Sequence, residues 1–374
     1  MKAKQDLSEV KPVVCCVGER YQICVLTSHE SLVSVRIGDS LFQDVNNGIV
    51  RSRCKVHKFD VPSALLDREG SYTVIRERLI KRQAYRSLKY PEKRSVFEFI
   101  PLPQTGPIRI YHLSDCHGLK TPAVKAASFF VSAPDLLILN GDVASSSQTE
   151  KEALLPMEIA YLVTKGSRPC IITRGNHDLR GRFAENLDSY YPTLNGSFFY
   201  TIDLPRLSFL VLDCGEDKVD DNIEYAGTVA FHEYRIRQTA FIKDVCEEAI
   251  PENRPFRFVL SHIPFMRVDF VPAGGIHEFD IELELYEEWV RLMNERFRPR
   301  LGLFGHIHQT LLVTEKGEHN EMGLSAPCVF GGRPDHKNNS MIGTAVSLNP
   351  DTGDALIMFT NSSGSVLSSY ELCL

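Results

Sequence analysis

The chain beyond residue 107 is constrained most by a series of short apolar segments that end in Asp, Asn or His. From Ile108 onward, apolar segments of strand length alternate with longer segments of helical periodicity, a pattern typical of an α/β layered domain. Loops at the carboxyl ends of strands are where sites form in α/β sheets, so we expect the polar side chains to meet at one edge. Five polar segments follow apolar ones: Asp115-Cys116-His117, Gly141-Asp142, Gly175-Asn176-His177-Asp178, Ser261-His262 and Gly305-His306-Ile307-His308.

These segments carry the side chains of metal ligands. Asp, Asn and His supply oxygen and nitrogen donors, which suit Mn²⁺, Fe or Zn²⁺ better than metals that prefer thiolates. In residues 115–117 and 306–308 two donors lie two residues apart, and on an extended segment such donors point to the same side. Gly141, Gly175 and Gly305 each precede a donor, where the missing Cβ permits a tight turn and a close backbone approach.

Each of these residues has a structural alternative when it is taken alone. A strand-end Asp such as Asp115 or Asp142 is more often a helix cap or a turn former. A lone His such as His262 is more often structural. However, five of the twelve histidines fall in the five segments, together with three carboxylates. This concentration favours a metal site.

The ordered set D-x-H, GD, GNH[DE], H and GHxH resembles the signature of the calcineurin-like metallophosphoesterase family over about residues 107–310. The resemblance implies a four-layer α/β/β/α sandwich that holds two metal ions, Mn, Fe or Zn. It also implies that a hydroxide between the metals attacks phosphorus and so hydrolyses a phosphate ester. The expected fold class is therefore α/β, with this sandwich preceded by a small all-β sandwich domain.

The resemblance also implies roles for individual residues. Asp142 would bridge the two metals, His177 would lie near the leaving group as a catalytic residue, and Asp178 would orient His177. Arg180 and Arg182 are candidate phosphate-binding residues, because Arg suits bidentate phosphate recognition, although solvated loop positions are the alternative. The implied ligands are Asp115, His117, Asp142 and His308 for one metal, and Asp142, Asn176, His262 and His306 for the other.

The chain departs from the purple acid phosphatase branch of this family at two positions. That branch has a glycine where this chain has His117, and a metal-binding Tyr where it has Ser145. Iron–tyrosinate chemistry is therefore not expected. A β-sandwich before the catalytic domain is nevertheless similar to the layout of that branch. The segment from 211–217 through 225–227 and 234–235 also looks like that of bacterial members with the same layout.

Residues 13–100 show short apolar segments separated by turn residues, which predict a small β-sandwich. Helical periodicity is possible only at 71–85. A proline-rich stretch at 101–107 predicts a junction. The chain is accordingly divided into a β-sandwich domain of immunoglobulin or fibronectin III type at 1–103 and a catalytic domain at 104–374. We expect the first to fold independently and to contribute no metal ligand.

Composition restricts the partners. The net charge of −6 argues against nucleic acid, which usually requires a basic excess, but it allows a small phosphorylated substrate because metal ions supply local positive charge. No stretch approaches the roughly 20 apolar residues of a membrane span or resembles a signal peptide, so a cytoplasmic protein without a membrane partner is expected. The ten cysteines include no C-x-x-C pair, and free thiols are expected.

Three functions follow from these observations. The first is hydrolysis of a phosphomonoester or small phosphodiester. The second is cyclic nucleotide hydrolysis, since class III cyclic nucleotide phosphodiesterases share the motif order. The third is a catalytically silent scaffold that binds proteins, but the presence of all seven ligand positions and of His177 favours an enzyme. Specificity is expected in the loops at 179–196, 214–232 and 263–280.

Overall fold

A computed structural model of the protein describes residues 10–247, 256–267, 281–315 and 323–374. The helices are α1 (Ser63–Glu69), α2 (Lys120–Ala127), α3 (Glu150–Ala153), α4 (Leu155–Thr164), α5 (Phe231–Glu247) and α6 (Leu283–Leu292), with 3₁₀ turns at His177–Leu179 and Ala184–Ser189 and a π-helical end at Met293–Phe297. The strands are β1 (Val10–Val17), β2 (Arg20–Thr27), β3 (Ser31–Ile37), β4 (Ser40–Gln43), β5 (Val45–Asn46), β6 (Ile49–Val50), β7 (Val56–Pro62), β8 (Ser71–Lys81), β9 (Leu88–Lys89), β10 (Lys93–Glu98), β11 (Ile108–Leu113), β12 (Leu136–Asn140), β13 (Pro169–Thr173), β14 (Tyr200–Asp203), β15 (Leu207–Leu212), β16 (Phe256–Ser261), β17 (Leu301–Phe304), β18 (Thr310–Val313), β19 (Cys328–Gly331), β20 (Arg333–Asp335), β21 (Ser340–Leu348), β22 (Asp354–Asn361) and β23 (Val366–Cys373).

Two large sheets face each other, formed by the strands beyond residue 107 together with β1, β2 and β7. The first runs in the order β23-β22-β21-β11-β12-β13-β1-β2-β7, with β20 beside β21, and the second in the order β14-β15-β16-β17-β19-β18. Strand β12 shows why such strands are apolar along their whole length. Ile138 points into the core between the sheets, whereas its neighbours Leu137 and Leu139 point outward against helices α2 and α4.

The layers are those that the sequence predicts. Ile110 and Phe258 belong to the core between the two sheets. Ile159 of α4 belongs to the core on the outer face of the first sheet, and Trp289 of α6 to the core on the outer face of the second. The four-layer α/β/β/α arrangement is therefore confirmed.

The strands that precede the polar segments lie side by side. Strands β11, β12 and β13 are parallel neighbours in the first sheet, and β15, β16 and β17 are parallel neighbours in the second. The two carboxyl edges are joined across the core. The Asn140 side-chain nitrogen donates to the Ser261 carbonyl at 3.0 Å, and His262 Nδ1 lies 2.7 Å from the Asn140 carbonyl oxygen. All five polar segments thus open toward one place.

One secondary-structure prediction is wrong. Residues 71–85 were a possible helix, but the segment forms the long strand β8, hydrogen-bonded to β3 on one side and β10 on the other. Tyr72 and Val74, two residues apart, are buried in the core. The long polar residues from Arg76 onward are good helix formers, and pairing with two neighbours overrides that local preference.

The region before residue 103 is all-β apart from the short helix α1, as predicted. A sheet in the order β10-β8-β3-β4, with β9 beside β8, packs against β1, β2 and β7. Strand β1 also pairs in parallel with β13 of the catalytic region, and Val14 lies opposite Pro169. One sheet and one core therefore include residues from both sides of the predicted domain boundary at 103/104. A variant in this shared core tests whether residues 1–103 nevertheless fold independently, as the sequence predicts.

All ten cysteines lie in the described part of the chain and are free thiols, as predicted. Among the described helices, none is both long and apolar enough to cross a bilayer.

We expect Val14→Asp to unfold both regions together. Val14 is fully buried in the core between the sheets, and an unpaired carboxylate there costs about 3 kcal/mol or more. Thermal unfolding followed by circular dichroism should show one transition at a lower temperature. The matched control is Val96→Asp, because Val96 is 54% exposed. A variant that lost only part of its structure and kept a normally folded catalytic region would instead support independent folding of residues 1–103.

Candidate metal centre

The first cluster of donors is formed by the loops after β11, β12 and β17. The Nε2 atoms of His117 and His308 are 2.9 Å apart. Asp115 Oδ1 lies 3.5 Å from His308 Nε2, and Asp142 Oδ2 lies 3.9 Å from His117 Nε2. The structure thus brings together all four residues that the family resemblance assigns to one metal.

The second cluster is formed by the loops after β12, β13, β16 and β17. Asp142 Oδ2 lies 3.2 Å from His262 Nε2. The Asn176 side-chain oxygen lies 3.1 Å from His306 Nδ1 and 3.2 Å from Asp142 Oδ2. Asp142 therefore belongs to both clusters, and the same carboxylate oxygen reaches His117 in one and His262 in the other.

The backbone that carries these donors is strained. Five of the seven implied ligands have a positive φ, a conformation that non-glycine residues rarely adopt. Strain of this kind costs about 1–3 kcal/mol per residue and is concentrated at functional sites, where the surrounding structure enforces it. The five are Asp115 (55°), His117 (41°), Asp142 (51°), His306 (71°) and His308 (52°).

Glycines allow the donors to approach each other, as predicted from the sequence. A Cβ on Gly175 would lie 2.3 Å from Asp142 Oδ1 and 2.6 Å from the His262 ring. A Cβ on Gly305 would lie 2.9 Å from Asp115 Oδ2. A side chain at either position would therefore push the clusters apart.

The electrostatics of the clusters fit cations. Asp115 and Asp142 are buried, and among the described residues their ion-pair partners are histidines. Burial by itself would lower the pKa of His262, but the two carboxylates outweigh burial and raise it to about 10. Burial likewise would raise the pKa of Asp142, yet the surrounding histidines, His262 foremost, bring it below its usual value. The carboxylates thus create a negative field that a bound cation would neutralise.

Two hydrogen-bonding details also fit metal ions. The Asn176 side-chain oxygen faces a carboxylate oxygen and a ring nitrogen, both potential acceptors; a cation between them would relieve this contact, as would turning the amide over. His262 uses Nδ1 to bond the Asn140 carbonyl, which leaves Nε2 directed at Asp142. Metal-binding histidines are commonly oriented in this way by a backbone carbonyl.

His177 lies at the rim of the clusters. Its ring is 33% exposed, and Nδ1 lies 3.0 Å from the Ser145 carbonyl oxygen. Nε2 lies 4.0 Å from Asp142 Oδ2 and 3.4 Å from an Arg180 nitrogen. The Ser145 carbonyl therefore sets the ring orientation and directs Nε2 toward the centre.

Asp178 is placed differently from the expectation that it orients His177. Its carboxylate is fully buried and accepts hydrogen bonds from the backbone nitrogens of Asp142 (3.0 Å) and Gly175 (2.8 Å) and from the Tyr191 hydroxyl (2.9 Å). Burial raises the pKa of Asp178 to about 6. Asp178 thus holds together the two loops that carry Asp142 and Asn176.

Arg180 is already paired. Its guanidinium donates to both oxygens of the buried Glu216, at 3.0 and 2.8 Å, and to Asp217 at 3.1 Å. The Tyr225 hydroxyl bonds the same two carboxylates. Arg182 is exposed and lines, with Arg180, Glu216 and Tyr225, a cavity of about 510 Å³.

The acidic residues and the tyrosine of this network were not among the sequence-based candidates. They meet Arg180 only through folding, 36 or more residues along the chain, although they lie in segments that resemble those of bacterial members of the family. Of the three loops expected to set specificity, 179–196 and 214–232 lie on either side of this network. Most of the third, 268–280, lies outside the described residues.

Comparisons with known proteins bear on the fold and on the family. Two solved structures share the fold. Purple acid phosphatase PPD1 from yellow lupin (Lupinus luteus) seeds has a TM-score of 0.60 at 12% identity, and the match covers 97% of this chain and 74% of that chain. A structure of PhoD has a TM-score of 0.54 at 9% identity, over 100% of this chain and 90% of that one. The comparison with curated protein sequences finds no match.

The family itself is established by sequence. The sequence model described as calcineurin-like phosphoesterase matches residues 108–310, which is more than half of the chain. This range holds all five polar segments and both donor clusters. The chain therefore belongs to the calcineurin-like phosphoesterase family and is a metal-dependent hydrolase of phosphoester bonds.

Proposed function

We propose that the protein hydrolyses phosphomonoesters or small phosphodiesters at a centre of two metal ions. The observation that carries this proposal is the convergence of seven donors on two clusters that share the Asp142 carboxylate. Shared carboxylates of this kind suit two-metal hydrolysis, because a single substrate phosphate can then contact both ions. Cyclic nucleotides fall within the proposed class as small phosphodiesters.

The donor set fits Mn²⁺, Fe or Zn²⁺, since all donors are oxygen or nitrogen. When bound, such ions polarise the phosphoryl oxygens and make water a stronger nucleophile at neutral pH. In this proposal Asp142 contacts both ions. The remaining ligands are Asp115, His117 and His308 for one ion, and Asn176, His262 and His306 for the other.

His177 supplies the proton for the leaving group. Because Nδ1 is directed at the Ser145 carbonyl, Nε2 is the ring atom that carries the transferable proton toward the centre. Among the described residues, the other hydrogen-bond contact of the His177 ring is the long one between Nε2 and Arg180. Nε2 can therefore face a substrate.

The paired state of Arg180 bears on phosphate binding. Glu216 and Asp217 occupy its Nε and one terminal nitrogen, so the arginine offers substrate at most its other terminal nitrogen, the one near His177. Arg182 is exposed beside it, and among the described residues its guanidinium has no hydrogen-bond or ion-pair partner. In this proposal Arg182 is the better placed of the two for a bidentate contact with a substrate phosphate.

We expect Asp142→Asn to lose activity and to bind less metal. Both clusters lose their shared negative charge, so the loss of affinity should exceed the roughly 10–100-fold seen when a residue that merely orients a ligand is replaced. The measurements are metal content by elemental analysis and hydrolysis of a panel of mono- and diesters with Mn²⁺, Fe²⁺ or Zn²⁺. The exposed Asp221→Asn is the control. Two bound metals and a wild-type rate in the Asp142 variant would contradict the shared role.

We expect His177→Asn to slow alkyl phosphate esters by about 10²–10⁴-fold while nitrophenyl esters are affected much less. An alkoxide needs a proton to leave, whereas a nitrophenolate does not. The comparison is of kcat/KM for both ester types, with metal content checked and the exposed His336→Asn as control. Equal losses on both esters at full metal content would remove the acid role, and loss of metal would show that His177 is a ligand.

We expect Asp178→Asn to act through the metal sites and not through the leaving group. Both backbone nitrogens donate to one oxygen, Oδ2, and the Tyr191 hydroxyl donates to the other. The amide keeps one oxygen but loses the charge and the second acceptor, so the hydrogen bonds that join the loops of Asp142 and Asn176 become weaker. Metal affinity should fall, and both ester types should lose rate equally at a given metal concentration. A variant with normal metal affinity and a selective loss on alkyl esters would restore Asp178 as the partner of His177.

A further inference from the structure

A second group of potential metal ligands lies in the N-terminal region, among residues that the dinuclear centre does not use. Asp44 follows β4, Cys54 lies between β6 and β7, and His57 is on β7. Asp44 and His57 are buried, and Cys54 is half-buried. One donor atom from each of these three side chains lies within 4.8 Å of the other two.

The three donor atoms form a compact triangle. His57 Nδ1 lies 3.1 Å from Asp44 Oδ2. Cys54 Sγ lies 3.6 Å from His57 Nδ1 and 3.9 Å from Asp44 Oδ2. A tetrahedral zinc ion, with bonds of about 2.0–2.1 Å to nitrogen and oxygen and about 2.3 Å to sulfur, holds such atoms about 3.3–3.6 Å apart. The triangle therefore has the size of one face of a zinc site.

The two oxygens of the Asp44 carboxylate have different partners. Its Oδ1 pairs with Arg51 at 3.3 Å, whereas its Oδ2 faces the imidazole and the thiol. Ligating carboxylates are typically oriented in this manner by a second partner on the other oxygen. Arg51 thus fixes the carboxylate and leaves Oδ2 directed at the triangle.

The hydrogen-bond contacts of the Cys54 thiol are long. Cys54 Sγ is nearly equidistant from the two ring nitrogens of His57, at 3.6 and 3.7 Å, so it is directed along the lone pair of neither. A turn of the thiol about its Cα–Cβ bond toward Nδ1 would place it with Asp44 Oδ2 around one ion. A plain hydrogen-bonded triad, in which the thiol donates to Asp44 Oδ2 at 3.9 Å, is the alternative.

We propose that Asp44, Cys54 and His57 bind one Zn²⁺ ion, with water as the fourth ligand. Thiolate, imidazole and carboxylate are together a donor set typical of zinc. Solvent reaches the site through a cavity of about 350 Å³ that Arg51, Cys54 and Tyr190 help to line. Of the three proposed ligands, Cys54 lines this cavity, which therefore provides an entry path for the ion.

Binding at this site displaces one proton. Burial raises the pKa of the Cys54 thiol to about 11, so the thiol keeps its proton at neutral pH until a cation binds. The ion then takes the thiolate, and the proton goes to solvent. The bound ion would join Asp44 to β7 and so close the segment between them, whose only strands are the two-residue β5 and β6.

The test is a Co²⁺ titration of the full-length, metal-free protein. Co²⁺ replaces Zn²⁺ and gives a near-ultraviolet charge-transfer band only when a thiolate is a ligand. The donors of the dinuclear centre are oxygen and nitrogen, so the band reports the proposed site whether or not the other centre binds metal or hydrolyses esters. We expect the band in the wild type, together with one metal equivalent more than in Cys54→Ser.

Two variants complete the test. Cys246→Ser is the matched control, because Cys246 is also half-buried and burial also raises its thiol pKa; it should keep the band and the extra equivalent. Asp44→Asn should shift the band to higher Co²⁺ concentration. Circular dichroism of the metal-free variants confirms that they are folded. A wild-type protein without the band, or one that binds no more metal than Cys54→Ser, would overturn the proposal and leave a hydrogen-bonded triad.

Discussion

The centre depends on two carboxylates, Asp115 and Asp142, that are buried beside histidines and have no lysine or arginine as ion-pair partner among the described residues. Buried charge is costly unless it is compensated, and here the neighbouring imidazoles compensate it only in part. The raised pKa of His262 shows the sign of the remaining field. This negative field favours the binding of cations at the site.

The rest of the catalytic region holds these charges in place. Parallel strands in two facing sheets end at the same edge, and the hydrogen bonds between Asn140 and residues 261–262 keep the two edges together. Asp178 ties the Asp142 and Asn176 loops through backbone nitrogens. Five of the seven proposed ligand residues adopt left-handed backbone conformations, which a less rigid scaffold would not maintain. The strained backbone at the site therefore depends on the rigidity of the scaffold around it.

The N-terminal region takes part in this scaffold as well. Strand β1 covers the edge of β13, the strand that leads into Asn176, and the Tyr72 hydroxyl bonds the Gly166 carbonyl just before β13 at 2.8 Å. The core between the sheets includes residues from both regions, such as Val14 and Ile171. The proposed zinc ion would stabilise the connection into β7, the edge strand of the same sheet. In this view the first hundred residues support the catalytic loops by extending the sheet beside β13.

The sequence by itself determined the α/β class, the alternation of strands and helices, and the seven donors, because each depends on local patterns: apolar periodicity, glycines beside donors, and side chains at strand ends. Only the tertiary structure decided that β8 is a strand, that β1 extends the catalytic sheet, that Asp178 ties loops together, and that Glu216 holds Arg180. The spacing Cys54-x-x-His57 is present in the sequence, but only the folded chain brings Asp44 next to it and so suggests a metal site. Each of these features depends on segments that are distant in the chain, and hydrogen bonding or packing between distant segments leaves no periodic trace in the sequence.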